Sequence, residues 1–196
     1  MDTLNSLIEA LRCLPGIGPK SAQRMAFYLL QQQRQRGLQL AHCLEKAMVN
    51  ITHCSQCNNY TESLVCYLCK QPDRDGSLLC VVESPADVLA IEQTQHYHGL
   101  YYVLMGKISP IDGIGPEDIA LPGLTAQVKQ KSIKEVILAL TPTIEGQTTI
   151  HFIQAALREF DITISQLAHG IPMGGELEYL NSFTIGSALR NRAAIS

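Results

Sequence analysis

CVVESPADVLAIE, residues Cys80–Glu92, changes rhythm in its middle. Its first half, read with the preceding SLL, is a short apolar run rich in valine, the pattern of a strand buried on both faces. Its second half, ADVLAIEQ, has helical spacing, and Pro85 suits a first-turn position. Glu83 is left at the strand's end and Asp87 in the opening of the helix. The same alternation continues downstream. YYVLMG (101–106) reads as a strand, a polar segment near 124–132 as a helix, EVILAL (135–140) as a strand, EGQTTIHFIQAALREF (145–160) as a helix and ITISQLA (162–168) as a strand. Strands alternating with helices predict an α/β domain over 78–172, built on a parallel sheet with right-handed crossovers. A segment at 173–196, with room for one helix, follows it.

Upstream the pattern is helical. Leu4, Leu7, Ile8, Leu11 and Leu14 predict an amphipathic helix over 3–13 that stops at Pro15-Gly16. Pro19 restarts a helix, and Met25, Ala26, Leu29 and Leu30 give it an apolar stripe. A third helix fits 38–50, with Leu40, Leu44, Ala47 and Met48 on its stripe. This N-terminal region is expected to span 1–52. DRDG (73–76) reads as a turn-rich link into the α/β domain.

Between these regions, at 53–72, lie Cys54-Ser-Gln-Cys57 and Cys66-Tyr-Leu-Cys69. Two CxxC pairs across a short loop set four thiolates around a tetrahedral point, the geometry of a structural Zn²⁺ site. Disulfides are disfavoured in a reducing compartment, and buried free thiols do not account for two CxxC pairs so close together. The intervening NNYTESLV is too small to form a core, so metal binding is expected to supply folding energy, on the order of 10 kcal/mol. One zinc ion per chain follows, with all four positions filled by protein and none left for catalysis. His53 beside Cys54 is an alternative ligand, but reads in preference as a supporting or exposed residue. Cys13, Cys43 and Cys80 fall on apolar faces and are expected in the core.

LPGIGPKSAQR joins the first two helices by the helix-hairpin-helix pattern. Gly16 and Gly18 allow a tight turn and close approach by a ligand, and the second helix's N-terminal N–H groups form a phosphate site. Lys20 and Arg24 stand one turn apart on one face. Two readings stay open: a sequence-independent grip on DNA phosphates, or a helical hairpin with a solvated basic face. The same four residues recur as GIGPE (113–117), where Glu117 and Asp118 would repel a phosphate and suit a helix's first turn instead.

Charge and composition agree with a protein that touches nucleic acid with one part only. Net charge is −3, yet residues 1–36 hold five basic residues against two acids, a balance of +3. No apolar run approaches the roughly 20 residues of a membrane span. The N-terminus lacks the basic and continuous apolar regions of a signal peptide. A cytoplasmic protein with no membrane contact is the expectation.

Glu83 and Asp87 sit where parallel sheets place their sites. The layout is similar to a toprim domain, the fold of topoisomerases, primases and some nucleases. Those enzymes hold metal with a D-x-D pair after a later strand. Here EVILAL runs into Thr141-Pro142-Thr143, so hydroxyls stand where carboxylates would. Glu145 is close by, but one glutamate is a poorer Mg²⁺ site than two aspartates. The chain's own D-x-D, Asp73-Arg74-Asp75, precedes the first strand of the sheet. Glu83 and Asp87 therefore read as capping and turn residues in preference to catalytic ones.

A helix-hairpin-helix, a Cys₄ finger and a toprim domain in that order resemble the bacterial RecR family of recombination mediators. The residues that carry the resemblance are LPGIGPKSAQRMAFYLL (14–30), the four cysteines, CVVESPADVLAIE, GKISPIDGIGPEDI (106–119), EVILALTPTIEG (135–146) and AHGIPMGGELEY (168–179). They cover nearly the whole chain. One departure is Leu140-Thr141 before Pro142, where the family typically has asparagine before the proline. The resemblance implies a non-catalytic protein that acts with RecO, and in many bacteria RecF, to help load RecA at single-stranded gaps. It implies a ring-shaped homotetramer joined through N- and C-terminal regions, and binding to single- and double-stranded DNA. It assigns Gly16, Gly18, Lys20 and Arg24 to DNA, Cys54, Cys57, Cys66 and Cys69 to zinc, and the surface around Glu83, Asp87 and Glu145 to partner contact. GIPMGGE (170–176) lacks the G-K-[ST] of a nucleotide loop. The rival readings are a Mg²⁺-dependent toprim nuclease or primase-like enzyme using Glu83, and an assembly scaffold without DNA contact.

Overall fold

The computed structural model describes residues 2–168, 170, 171, 174 and 176–190. Expectations resting on His169, Pro172, Met173, Gly175 and residues 191–196, including parts of AHGIPMGGELEY and of the 173–196 segment, lie outside the described residues. The chain divides into two compact units, Met1–Ile51 and Thr52–Ser196.

In the first unit, α1 (Thr3–Leu11) is capped by Asp2, whose carboxylate accepts the Leu4 N–H at 3.3 Å. The chain turns through Gly16 and re-enters helix at Pro19, giving α2 (Pro19–Gln32). Ala22 and Ala26 are fully buried on the inner side of α2, which packs on both α1 and α3. α3 (Arg34–Asn50) starts a turn earlier than its apolar stripe predicts and buries no residue. Leu40, Leu44 and Met48 remain 47%, 52% and 76% exposed. Cys13 and Cys43 are exposed too, against the expectation that they sit in the core. The reason is geometric: three helices cover only narrow stripes of one another, so apolar positions off the α1–α2 seam have no cover within the unit.

The second unit opens with the cysteine finger: β1 (Thr52–His53) pairs antiparallel with β2 (Tyr60–Thr61), and α4 (Tyr67–Lys70) follows. The sheet comprises β3 (Asp75–Val82), β4 (Gly99–Val103), β5 (Glu135–Ala139) and β6 (Thr163–Gln166) in the order β4-β3-β5-β6, every neighbouring pair parallel. Helices α5 (Pro85–Thr94), α6 (Leu121–Gln130) and α7 (Ile144–Leu157) lie between the strands in sequence. A 3₁₀ turn (Leu177–Tyr179) and α8 (Ser182–Arg190) come last. The predicted DRDG link is shorter than expected, because Asp75 already belongs to β3 and donates its N–H to His98 at 2.8 Å.

β3 lies between β4 and β5, which is why its second half, Leu78 to Val82, is an unbroken apolar run. Its residues alternate between two cores. Leu79 and Val81 join Leu124, Val136, Leu138, Ile153 and Leu157 on one face. Cys80 and Val82 join Val88, Tyr101, Val103 and the finger's Cys54, Cys57, Cys66 and Leu68 on the other. Cys80 is thus core, as its position predicts, and burial pushes its thiol up to about 12. Glu117 and Asp118 do not open a helix: Pro116 to Ala120 form turns and α6 begins only at Leu121. Asp118 instead closes its own loop, accepting the Gly115 N–H at 2.8 Å.

Candidate functional site

The finger brings its four cysteines together. One Sγ from each of Cys54, Cys57, Cys66 and Cys69 lies within 4.8 Å of the others, and Cys57 and Cys66 approach to 3.5 Å. A tetrahedral ion with Zn–S bonds of about 2.3 Å needs sulfur–sulfur separations of about 3.8 Å. The local fold aims amides at this centre, since Gln56 and Cys66 N–H groups donate to Cys54 Sγ at 3.4 and 3.2 Å. Burial works against a Cys54 thiolate, but those amides and that of Cys57 outweigh it and bring the thiol down to about 7. Cys66 goes the other way, up to about 11, chiefly through burial and then through the charge of its neighbours. Cys57 is pushed up as well, first by its hydrogen bond with Cys69. Four crowded, largely buried thiols resist joint ionisation unless a cation neutralises them, so the donor set fits a metal ion. Among the described residues this is the one cluster of three or more His, Cys, Asp or Glu ligand atoms. His53 is exposed and donates to or accepts from none of the four, its ring meeting the Asn58 carbonyl at 3.1 Å instead.

The finger is fixed to the sheet. Val103 of β4 donates its N–H to the Cys57 carbonyl at 2.9 Å, and Asn58 Nδ2 donates to the Val103 carbonyl at 2.8 Å. Asn58 takes a left-handed φ of 60° to do so.

At the C-terminal end of β3 and β5 the structure joins Glu83 to Thr141. The Thr141 N–H and Oγ1 both donate to Glu83 Oε1, at 2.7 and 2.6 Å. The second hydroxyl of the Thr-Pro-Thr segment is also engaged, Thr143 Oγ1 accepting the Gly146 N–H at 3.2 Å as the N-cap of α7. Asp87 faces back along α5, accepting from Ser84 N and Ser84 Oγ, both at 2.8 Å. Glu145 stands in the first turn of α7 with Lys107 3.9 Å away. Its own backbone N–H, then Thr143 and Lys107, hold its carboxyl below the ordinary range. The carboxylates are thus taken up by backbone and hydroxyl donors. Thr141 and Lys107, as partners of Glu83 and Glu145, were not singled out from sequence. Only the tertiary fold brings Glu83 to a residue 58 positions away.

In the first unit, Lys20 and Arg24 share the outer face of α2 and are exposed. Among the described residues neither has an ion-pair partner. Gly18 is the N-cap of α2 and has no side chain to close its first turn. The N–H groups of Gly18, Lys20 and Ser21 find no acceptor among the described residues.

Three family models match the chain in succession. Residues 4–48 match the family described as RecR, helix-hairpin-helix; 77–168 match the Toprim domain; 170–193 match RecR, C-terminal. "Recombination protein RecR" of Legionella pneumophila strain Philadelphia 1 is 65% identical over the whole chain and 98% of the relative. The proteins of the same printed name from strains Corby and Paris are also 65% identical, over all of both chains. Identity of 65% over the whole chain, with the RecR hairpin and C-terminal models at its two ends and the Toprim model between them, means that the chain belongs to the RecR family of recombination proteins.

Proposed function

We propose that the chain is a non-catalytic mediator of DNA repair. It holds DNA through Gly16, Gly18, Lys20 and Arg24 and acts with a RecO protein, and in some settings RecF, to load RecA at single-stranded gaps. The observation that carries the non-catalytic reading is the Glu83–Thr141 pair. A toprim enzyme would need carboxylates at 141 and 143 to hold Mg²⁺ beside Glu83. Here one hydroxyl is spent on Glu83 itself and the other on capping α7. The surface bearing Glu83, Asp87 and Glu145 is then a rigid acidic face for a partner protein.

Zinc is the ion the cysteines select, since soft thiolates in a closed tetrahedron disfavour Mg²⁺ and Ca²⁺. It would tie 53–72 into one body. The uncovered apolar positions of α3 support assembly with further copies, in line with a tetrameric ring. The domain limits 1–52, 53–72, 78–172 and 173–196 are working units of this scheme, and a cytoplasmic, nucleoid-associated location goes with it.

The test is reconstitution. RecA loading on gapped DNA coated with single-strand-binding protein should need both RecO and this chain. Glu83→Gln should abolish RecO binding while DNA binding persists. Cleavage or extension of DNA by the purified chain with Mg²⁺ or Mn²⁺, lost in Glu83→Gln, would establish the enzyme reading instead. Metal analysis should find one Zn²⁺ per chain, and its removal by a chelator should unfold the finger. A metal-free preparation that folds normally would refute the zinc assignment.

A further inference from the structure

We infer that the outer face of α2 is a stacking groove selective for single-stranded DNA; this rests on the reading of the hairpin as a DNA grip. Lys20, Gln23, Arg24, Phe27, Tyr28 and Gln31 line one groove of about 450 Å³. At 3.6 residues per turn these positions share one half of the helix, opposite buried Ala22 and Ala26. The groove is therefore not the buried side of the helix. Its aromatics are open, Phe27 being 38% and Tyr28 47% exposed. α2, whose sequence is PKSAQRMAFYLLQQ, carries no acid.

Cations followed by open aromatic rings are what a single strand requires. Lys20 and Arg24 lie about 6 Å apart along the helix axis, and Tyr28 about 6 Å further. A backbone that lays phosphates on the two cations runs toward the rings. In a duplex the base faces are already stacked inside and cannot reach Tyr28. In a single strand they are free, and any base will stack, so the preference carries no sequence code. The glutamines Gln23 and Gln31 add neutral donors and acceptors beside the track.

The chain contains no tryptophan, so Tyr28→Trp installs a sole indole reporter. Its fluorescence should be quenched by a short oligo(dT) and left unchanged by an abasic strand of equal length or by a blunt duplex. In the otherwise natural chain, Tyr28→Leu should weaken oligo(dT) binding by about 5- to 100-fold, Tyr28→Phe should restore it, and duplex affinity should stay as it was. Lys20→Ala with Arg24→Ala should weaken every DNA. If that double variant weakens binding but Tyr28→Leu does not, the stacking groove is wrong and the hairpin grip stands. If the double variant changes nothing, the hairpin reading fails first. An indole that responds to protein concentration but not to oligo(dT) would mean that a second copy covers this face, which also overturns the proposal.

Discussion

Gly16-Ile17-Gly18-Pro19 and Gly113-Ile114-Gly115-Pro116 carry the same four residues on similar backbone. Each opens with a left-handed glycine, at φ +79° and +72°. They differ in where their amides go. The second copy closes on itself: Ile114 and Ser109 exchange backbone bonds at 2.9 and 3.1 Å, and the Gly115 N–H is taken by Asp118. The first copy spends the Ile17 N–H on Leu14 and leaves those of Gly18, Lys20 and Ser21 without an acceptor among the described residues. A turn motif therefore specifies a path for the chain. The residues after it decide whether the amides are taken up by the loop itself or left open for an outside acceptor.

The comparison breaks most visibly at the charges. Lys20→Ala with Arg24→Ala should weaken duplex binding by about 30-fold, roughly 2 kcal/mol for two exposed charge-assisted contacts, and lower the log–log salt slope by about 1.8. Replacing Glu117 and Asp118 by alanine should leave DNA binding as it is. Duplex binding titrated across a salt series checks both. If the second pair changes affinity as much as the first, the two turns are not functionally distinct. Next come the shared glycines. Gly16→Ala and Gly113→Ala should each destabilise their own unit by about 1 kcal/mol, because an alanine at positive φ is strained. Urea unfolding measures this, and equal losses would show that the two paths are equivalent. Smaller again is Asp118→Ala, which orphans the Gly115 amide and should cost about 0.5–1 kcal/mol while leaving the first copy untouched.

Much of this contrast was legible in the sequence, because it depends on neighbours. Lys20 and Arg24 follow one copy and Glu117 and Asp118 the other. The strands were legible for the same reason: a central strand such as β3 must be apolar on both faces. The cysteine spacing needed only local geometry. What escaped were pairings between distant segments. Glu83 meets Thr141 because β3 and β5 are parallel neighbours, and the finger docks because Asn58 reaches the Val103 carbonyl. Spacing along the chain does not encode such meetings. The apolar stripe of α3 misled for a related reason. Periodicity marks a face that wants cover, and Cys43 and Leu44 have none within their own unit.

The smallest change sharpens the comparison furthest. Gly18 has φ −82° and ψ 172°, ordinary extended backbone, and a Cβ added there would meet nothing within 4 Å. The chain's own fold therefore does not require glycine at this position. Alanine is a poorer N-cap than glycine, while it restricts the unfolded chain by about 0.4–1 kcal/mol, so the two effects nearly cancel. Gly18→Ala should leave the unfolding midpoint almost unchanged. On DNA the added methyl stands beside the outward amides, where a phosphate must come close, and binding should weaken several-fold. Gly115→Ala is the matched control: its Cβ would come 2.8 Å from Glu117 Oε1, the mobile end of a side chain that can swing aside. It should change neither DNA affinity nor, by more than about 0.5 kcal/mol, stability. Equal affinity for Gly18→Ala and the natural chain would leave Lys20 and Arg24 as the whole grip and the outward amides as bystanders.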